Sequence, residues 1–139
     1  DSPPHQDSSV GGNFPFHEIT ERIIGCALTV QKTLGPGLLE NAYQRCLAAE
    51  FRYQGVRHES QVGVPIIYRS EIVPLAYRLD FVVEKTVIVE LKAVDSVAPI
   101  VNAQLLTYLK LTNLPIALLI NFNSFPLRAG IKRMVHKPI

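Results

Sequence analysis

The chain has 139 residues, with 14 Lys plus Arg against 12 Asp plus Glu, so its formal charge is only +2. That balance excludes a purely electrostatic binder of nucleic acid or membrane, and the longest apolar run, Leu114 to Ile120, is broken by Pro115 and falls far short of the roughly 20 residues of a membrane helix. With 47% hydrophobic and 19% charged residues, one globular domain burying roughly two-thirds of its unfolded surface is expected.

Residues 1 to 16, DSPPHQDSSVGGNFPF, combine Ser, Pro, Gly and Asp with little apolar content and read as a flexible tail, leaving 17 to 139 as the folded domain. The tail takes two acids and no bases with it, so the domain is mildly positive. From His17 to Leu34, Ile19, Ile23, Cys26, Ala27, Val30 and Leu34 recur at three- and four-residue spacing, the signature of an amphipathic helix that Gly35-Pro36-Gly37 stops. A second helix is expected from Leu38 to about Gln54, with Leu39, Ala42, Tyr43, Cys46, Leu47 and Phe51 as its apolar face and Gly55 ending it. Three β runs follow, Val62 to Tyr68, Ile72 to Val83 and Val87 to Ala93, joined by Arg69-Ser70-Glu71 and Glu84-Lys85-Thr86 into an antiparallel meander. Ala98 to Thr112 returns to helical spacing with Pro99 in its first turn, Ile116 to Phe122 has buried-strand length, and Ile131 to His136 leaves room for an extra C-terminal strand. The order ααβββαβ, with that optional strand, predicts an α/β fold with helices against a central sheet.

The segment from Tyr77 to Val94 carries the sharpest chemical signal. Leu79, Phe81 and Val83 alternate on one strand, and Val87, Val89 and Leu91 on the next. Pairing 79 with 91, 81 with 89 and 83 with 87 puts both sets toward one core and leaves a three-residue turn. The same register sets Asp80 opposite Glu90, with Lys92 two residues on and pointing the same way. Two carboxylates roughly 5 Å apart at Cβ repel unless a cation lies between them, and hard oxygen donors suit Mg²⁺ or Mn²⁺. A metal there can polarise a phosphoryl oxygen while an ammonium orients the nucleophile, the chemistry of phosphodiester hydrolysis. Spacing alone fits equally a solvated strand face bearing one Glu/Lys/Asp cluster.

These residues resemble a family. Asp80 followed, after nine residues, by Glu90-Leu91-Lys92 is similar to the D...ExK core of the PD-(D/E)XK nuclease superfamily, whose core is restriction-endonuclease-like: a central mixed sheet flanked by helices. Gly37-Leu38-Leu39-Glu40-Asn41-Ala42-Tyr43 matches the signature of the bacterial GxxExxY protein family. Ala103 to Lys110, AQLLTYLK, resembles the QxxxY motif of RecB-like nucleases, and LLINF at Leu118 to Phe122 follows in order. The resemblance runs from about Glu18 to the C-terminus. It implies a divalent-metal-dependent nuclease acting on DNA, with Glu40, Asp80, Glu90 and the Leu91 carbonyl as ligands of Mg²⁺ or Mn²⁺, Lys92 serving the attacking water, and Gln104 with Tyr108 binding substrate. It departs from the pattern at Leu79, where the superfamily's name has Pro, and at Ser70 and Asn123, where Gly is common; Asn tolerates positive φ.

From the residues themselves, Glu40 is equally explained as a carboxylate favoured in the first turn of a helix. Gln104 and Tyr108, at i and i+4, share a helix face and fit either a substrate contact or a core edge. His5, His17, His58 and His136 have no zinc spacing, Cys26 and Cys46 have no CxxC partner, and GPG at Gly35 to Gly37 is no P-loop. Two reduced thiols with no leader before them suit the cytoplasm. Arg128, Lys132, Arg133 and Lys137 form a basic cluster that is either a phosphate contact or a solvated edge. With no Trp and 8% aromatic residues, no single-strand stacking platform stands out. The rival to a nuclease is a noncatalytic DNA-binding or assembly module keeping the fold. A domain this short is expected to work as a homodimer or in a larger DNA-handling complex.

Overall fold

The structure is a computed structural model that describes residues 16–139; the expected tail lies almost wholly outside the described residues. Helix α1 spans His17–Leu34 and α2 Glu40–Gln54, followed by β1 (His58–Tyr68), β2 (Glu71–Val83), β3 (Val87–Lys92), α3 (Ile100–Thr112), β4 (Ile116–Asn121), a 3₁₀ turn (Leu127–Gly130) and β5 (Ile131–Val135). The five strands form one sheet in the order β1-β2-β3-β4-β5. Strands β1 to β3 are the antiparallel meander; β4 runs parallel to β3 because α3 carries the chain back across, and β5 returns antiparallel to β4. The mixed sheet between helices is a restriction-endonuclease-like α/β core.

Alternation along the central strands separates two hydrophobic layers. Ile23, Ala27 and Val30 of α1 and Tyr43, Leu47 and Phe51 of α2 pack on Val87, Val89 and Leu91 of β3 and Ile116, Leu118 and Ile120 of β4. On the other side, Val101, Leu105 and Leu109 of α3 cover Ile88, Ala117 and Leu119. All six residues of β4 are buried, so its unbroken apolar run follows from its being covered on both faces.

Helix boundaries shift at the N-termini. Leu39, expected on the apolar face, is the extended N-cap of α2 and is 81% exposed, while Pro99 caps α3 from outside. Leu34 is partly exposed, and two polar residues of α1, Thr20 and Gln31, are buried. Gln31 donates from Nε2 to the carbonyls of Phe122 (3.0 Å) and Ser124 (2.7 Å), and Thr20 accepts from Arg133 Nη2 at 2.9 Å. Those bonds satisfy groups that apolar periodicity counts as solvent-facing.

The register of β2 with β3 matches expectation at Phe81↔Val89 and Val83↔Val87. The expected face of Leu79 does not. Phe81 and Val83 join the layer under α1 and α2, whereas Leu79 joins Val82 and Ile88 under α3. The alternation breaks at Asp80. Across β1, the pairs Ser60↔Phe81 and Val62↔Leu79 skip Gln61, whose φ is 53°, so the sheet is locally unpicked on both sides of that aspartate. The β1–β2 connection is tighter than the expected triplet: Tyr68 pairs with Glu71 across Arg69 and Ser70, at φ 50° and 76°. Ser70 thus holds a conformation that glycine adopts without strain. Asn123 does not need the positive φ that Asn tolerates; its side chain is used, with Oδ1 accepting from Gly37 N–H at 3.3 Å.

Candidate active site

Interruption of the ladder at Asp80 frees backbone groups, and side chains take them. The Asp80 N–H donates to Glu90 Oε2 at 3.1 Å, and the Leu91 N–H donates to Asp80 Oδ2 at 2.8 Å. Each acid is thereby tied to the other's strand, where β2 and β3 begin to part. Both side chains are largely buried, so desolvation raises both pKa values. For Asp80, the Leu91 amide and a hydrogen bond from Glu90 oppose that rise, followed by the charge of Lys92. Glu90, facing the Asp80 charge as well as its own burial, is pushed up to about 8. Burial and mutual repulsion therefore hold the pair back from full ionisation, as in other close carboxylate pairs.

Lys92 follows Glu90 on the α3 side of β3 and pairs with Asn121 in the parallel ladder. Its charge lowers the pKa of Glu40 as well as of Asp80 and Glu90. Glu40 enters from the first turn of α2. Although the residue as a whole is exposed, its carboxyl is partly desolvated, which pushes its pKa up; Lys92 opposes the shift and Asp80 adds to it.

The loop before α2 explains why its sequence reads as it does. Gly37 has a φ of 100°, a left-handed conformation that a side chain would strain. Tyr43 is fully buried, stacks on Phe122 at 4.4 Å between centroids, donates its hydroxyl proton to Gly35 O at 2.5 Å and accepts from Leu38 N–H at 3.3 Å. Glycine turns the chain, tyrosine clasps the turn, and Glu40 between them is left to approach the acidic pair.

Two positioning residues escaped the sequence reading. Asn121 is buried at the end of β4; its Nδ2 donates to Val94 O at 2.9 Å, and its Oδ1 accepts from Val94 N–H (3.1 Å) and Asn123 N–H (3.3 Å). It fastens the chain leaving Lys92 to the neighbouring strand. Its one sequence signal was a lone amide closing an apolar run. The other is Tyr77, whose ring meets Tyr108 at 5.2 Å between centroids and 63° between planes. Tyr108 is half-buried on α3, and its hydroxyl pKa is raised by burial and then by the charges of Glu90, Tyr77 and Asp80. Tyr108 thus feels the charges of both acids and has an aromatic partner, where composition had shown no stacking platform. Gln104, one turn earlier on α3, is exposed.

Asp80 and Glu90 offer hard oxygen donors in a desolvated place where their mutual repulsion already favours a cation, a donor set suited to a divalent ion. The backbone carbonyl of Leu91 lies on the same stretch of β3. Among the described residues, no group of three or more His, Cys, Asp or Glu side chains is gathered closely enough to hold a metal ion, so the pair is formed while Glu40 stands off. Of the basic cluster, Arg128, Lys132 and Arg133 line one cleft together with Glu21. Arg128 pairs with Glu21 at 2.9 Å, and Arg133 is buried against Thr20, leaving Lys132 and Lys137 exposed. Among the described residues, no helix is long and apolar enough to cross a membrane.

A family model describing the PD-(D/E)XK nuclease superfamily matches residues 17–134. No curated protein and no solved structure matches the chain.

Proposed function

Because the chain belongs to the PD-(D/E)XK nuclease superfamily, we propose that it is a divalent-metal-dependent nuclease that hydrolyses phosphodiester bonds in DNA, and that it falls in the GxxExxY branch. The observation that carries this reading is the acidic pair, Asp80 and Glu90, crossed over each other's strand and held short of full ionisation by burial and mutual repulsion. Nucleases of this superfamily generally depend on a divalent metal. In this chain Asp80, Glu90 and the Leu91 carbonyl would hold Mg²⁺ or Mn²⁺, with Glu40 drawn in from α2.

When bound, such an ion supplies polarisation of the scissile phosphoryl group and a lower pKa for water. The chain's own groups do the rest. Asp80 and Glu90 would hold the ion as carboxylates, so any proton the pair carries would have to leave to solvent. Lys92 orients the attacking water and offsets charge developing on the phosphate. The Asn121 clamp keeps the strand end at Lys92 in register, and the Tyr43 clasp sets the height of Glu40. Gln104 and Tyr108, one turn apart on α3, position substrate. Support for the branch comes from Gly37, Glu40 and Tyr43, each of which has a distinct local task.

Purified protein with Mn²⁺ or Mg²⁺ should nick or degrade DNA, EDTA should abolish that activity, and Glu90→Ala should lower it by at least about 10³-fold. Absence of cleavage of DNA, or a Glu90→Ala variant as active as the parent, contradicts the proposal.

One observation favours a noncatalytic DNA-binding or assembly module as the second reading: Glu40 stands off from the acidic pair. DNA binding indifferent to metal, without cleavage, would select it. On either reading a second copy or a larger DNA-handling complex supplies grip. A specific duplex interface takes roughly 1,000–2,500 Å² of protein surface, against 8208 Å² in all for the described residues. The free thiols of Cys26 and Cys46 suit a cytoplasmic setting.

A further inference from the structure

Tyr77 lies three residues before Asp80 on β2, paired across the sheet with Val64, and its side chain packs at the margin of the layer under α3. The ring is half-buried, as is that of Tyr108. They meet edge-to-face at 5.2 Å and 63°, a geometry in which the ring presenting its edge keeps its own faces clear of the partner. The pair sits where the apolar layer gives way to the acids: Leu79, next but one along β2, is buried in that layer, and the following residue is Asp80. An aliphatic pair would close this rim equally well as packing. Two rings add flat π-surfaces beside a site built for phosphate chemistry.

From this juxtaposition we infer that Tyr77 is a specificity-determining residue: with Tyr108 it forms a stacking wall for the base next to the scissile phosphate, which makes unpaired DNA, a single strand or a frayed end, the preferred substrate. The inference rests on the nuclease reading above. In a duplex each base face is covered by its neighbours, so a ring beside the cleavage site gains a stacking partner only when the base is unpaired. Stacking tolerates any base, so the wall selects strandedness and not sequence.

The test compares the full-length parent chain with Tyr77→Leu, which keeps the apolar bulk without a ring, and Tyr77→Phe, which keeps the ring. Circular dichroism and thermal melting establish that each variant is folded. With Mn²⁺, the ratio of kcat/KM on a single-stranded oligonucleotide to that on the same sequence as a duplex should fall about tenfold in Tyr77→Leu, mainly through KM, and be restored in Tyr77→Phe. Independently of cleavage, an oligonucleotide carrying 2-aminopurine is titrated into a Glu90→Gln background. Its emission should be quenched on binding, with quenching lost when Tyr77→Leu is added and kept when Tyr77→Phe is added. An unchanged strand preference in folded Tyr77→Leu, or quenching that survives the loss of the ring, overturns the inference and leaves the nuclease reading standing. No cleavage by the parent together with Tyr77-dependent quenching overturns the nuclease reading alone, leaving the wall as a binding site.

Discussion

Asp80 and Glu90 are costly residues to keep where they are, and that cost is measurable. A carboxyl whose pKa is raised on folding binds more protons in the native state than in the unfolded one, so stability falls as pH rises between the two values. Glu90 goes from an ordinary 4.5 to about 8, and Asp80 shifts in the same direction. In EDTA, the contribution of the pair is fully present below about pH 4.5 and is lost as pH climbs through about 8. Scanning calorimetry should therefore show the metal-free Tm falling by at least about 5 °C between pH 5.5 and 8.5, and saturating Mn²⁺ should remove most of that fall. Glu90→Gln, which keeps an oxygen for the Asp80 N–H while discarding the charge, should melt higher than the parent at pH 8 in EDTA and be inactive. A flat metal-free profile would show that the two acids are not coupled. At this scale the sequence was legible for Phe81, Val83, Val87 and Val89, whose alternation fixes the hairpin register. The expected pairings of 79 with 91 and of Asp80 with Glu90 are absent from the ladder, and the acids meet where the alternation breaks, each bonded to an amide of the other strand. Asn121 and Tyr77 were not legible, since what each does depends on a neighbour far along the chain.

Elements were legible wherever one face is buried and the other is not. Helix α1 falls on its predicted limits, and β2, β3 and β4 lie within one residue of theirs. The failures are local: β1 begins at His58 and not at Val62, α2 and α3 begin two residues late, and several turns and one strand position hold left-handed backbone at residues other than glycine, which composition does not announce. Gln61, at φ 53° opposite Asp80, is that strand position. Replacing it by Val raises nominal β-propensity yet forces a β-branched residue into that conformation, so Gln61→Val should destabilise by ~1–2 kcal/mol in urea titration. An increase in stability would mean that the break in the ladder is not held there. The loop into α2 makes the converse case, a signature whose residues were recognised before their tasks were. Tyr43→Phe keeps the stack on Phe122 and removes both hydroxyl bonds. It should cost ~1 kcal/mol of stability but lower kcat by a further factor of ~10 or more, because Glu40 loses its fixed approach to the site. Equal loss in Glu40→Gln and in the double variant would confirm that the two act through one element.

For the whole molecule, the decisive feature is where the sheet opens. Strands β3 and β4 run parallel, so the chain leaves both at the same end, and α2 delivers Glu40 to that end from one layer while α3 delivers Tyr108 from the other. Layer order and the meander were readable from hydrophobic period. The partners of the C-terminal basic residues were not, because a charge run carries no sign of which member is paired to Glu21 or buried against Thr20. The proposed function depends on the acids at the opening exchanging bound proton for a divalent ion. Isothermal titration of Mn²⁺ into the metal-free chain at pH 7, repeated in two buffers of different ionisation enthalpy, measures that exchange directly. The account predicts saturable binding accompanied by release of about one proton per chain, with both signals lost in Asp80→Asn; binding without proton release, or binding that survives Asp80→Asn, would contradict it.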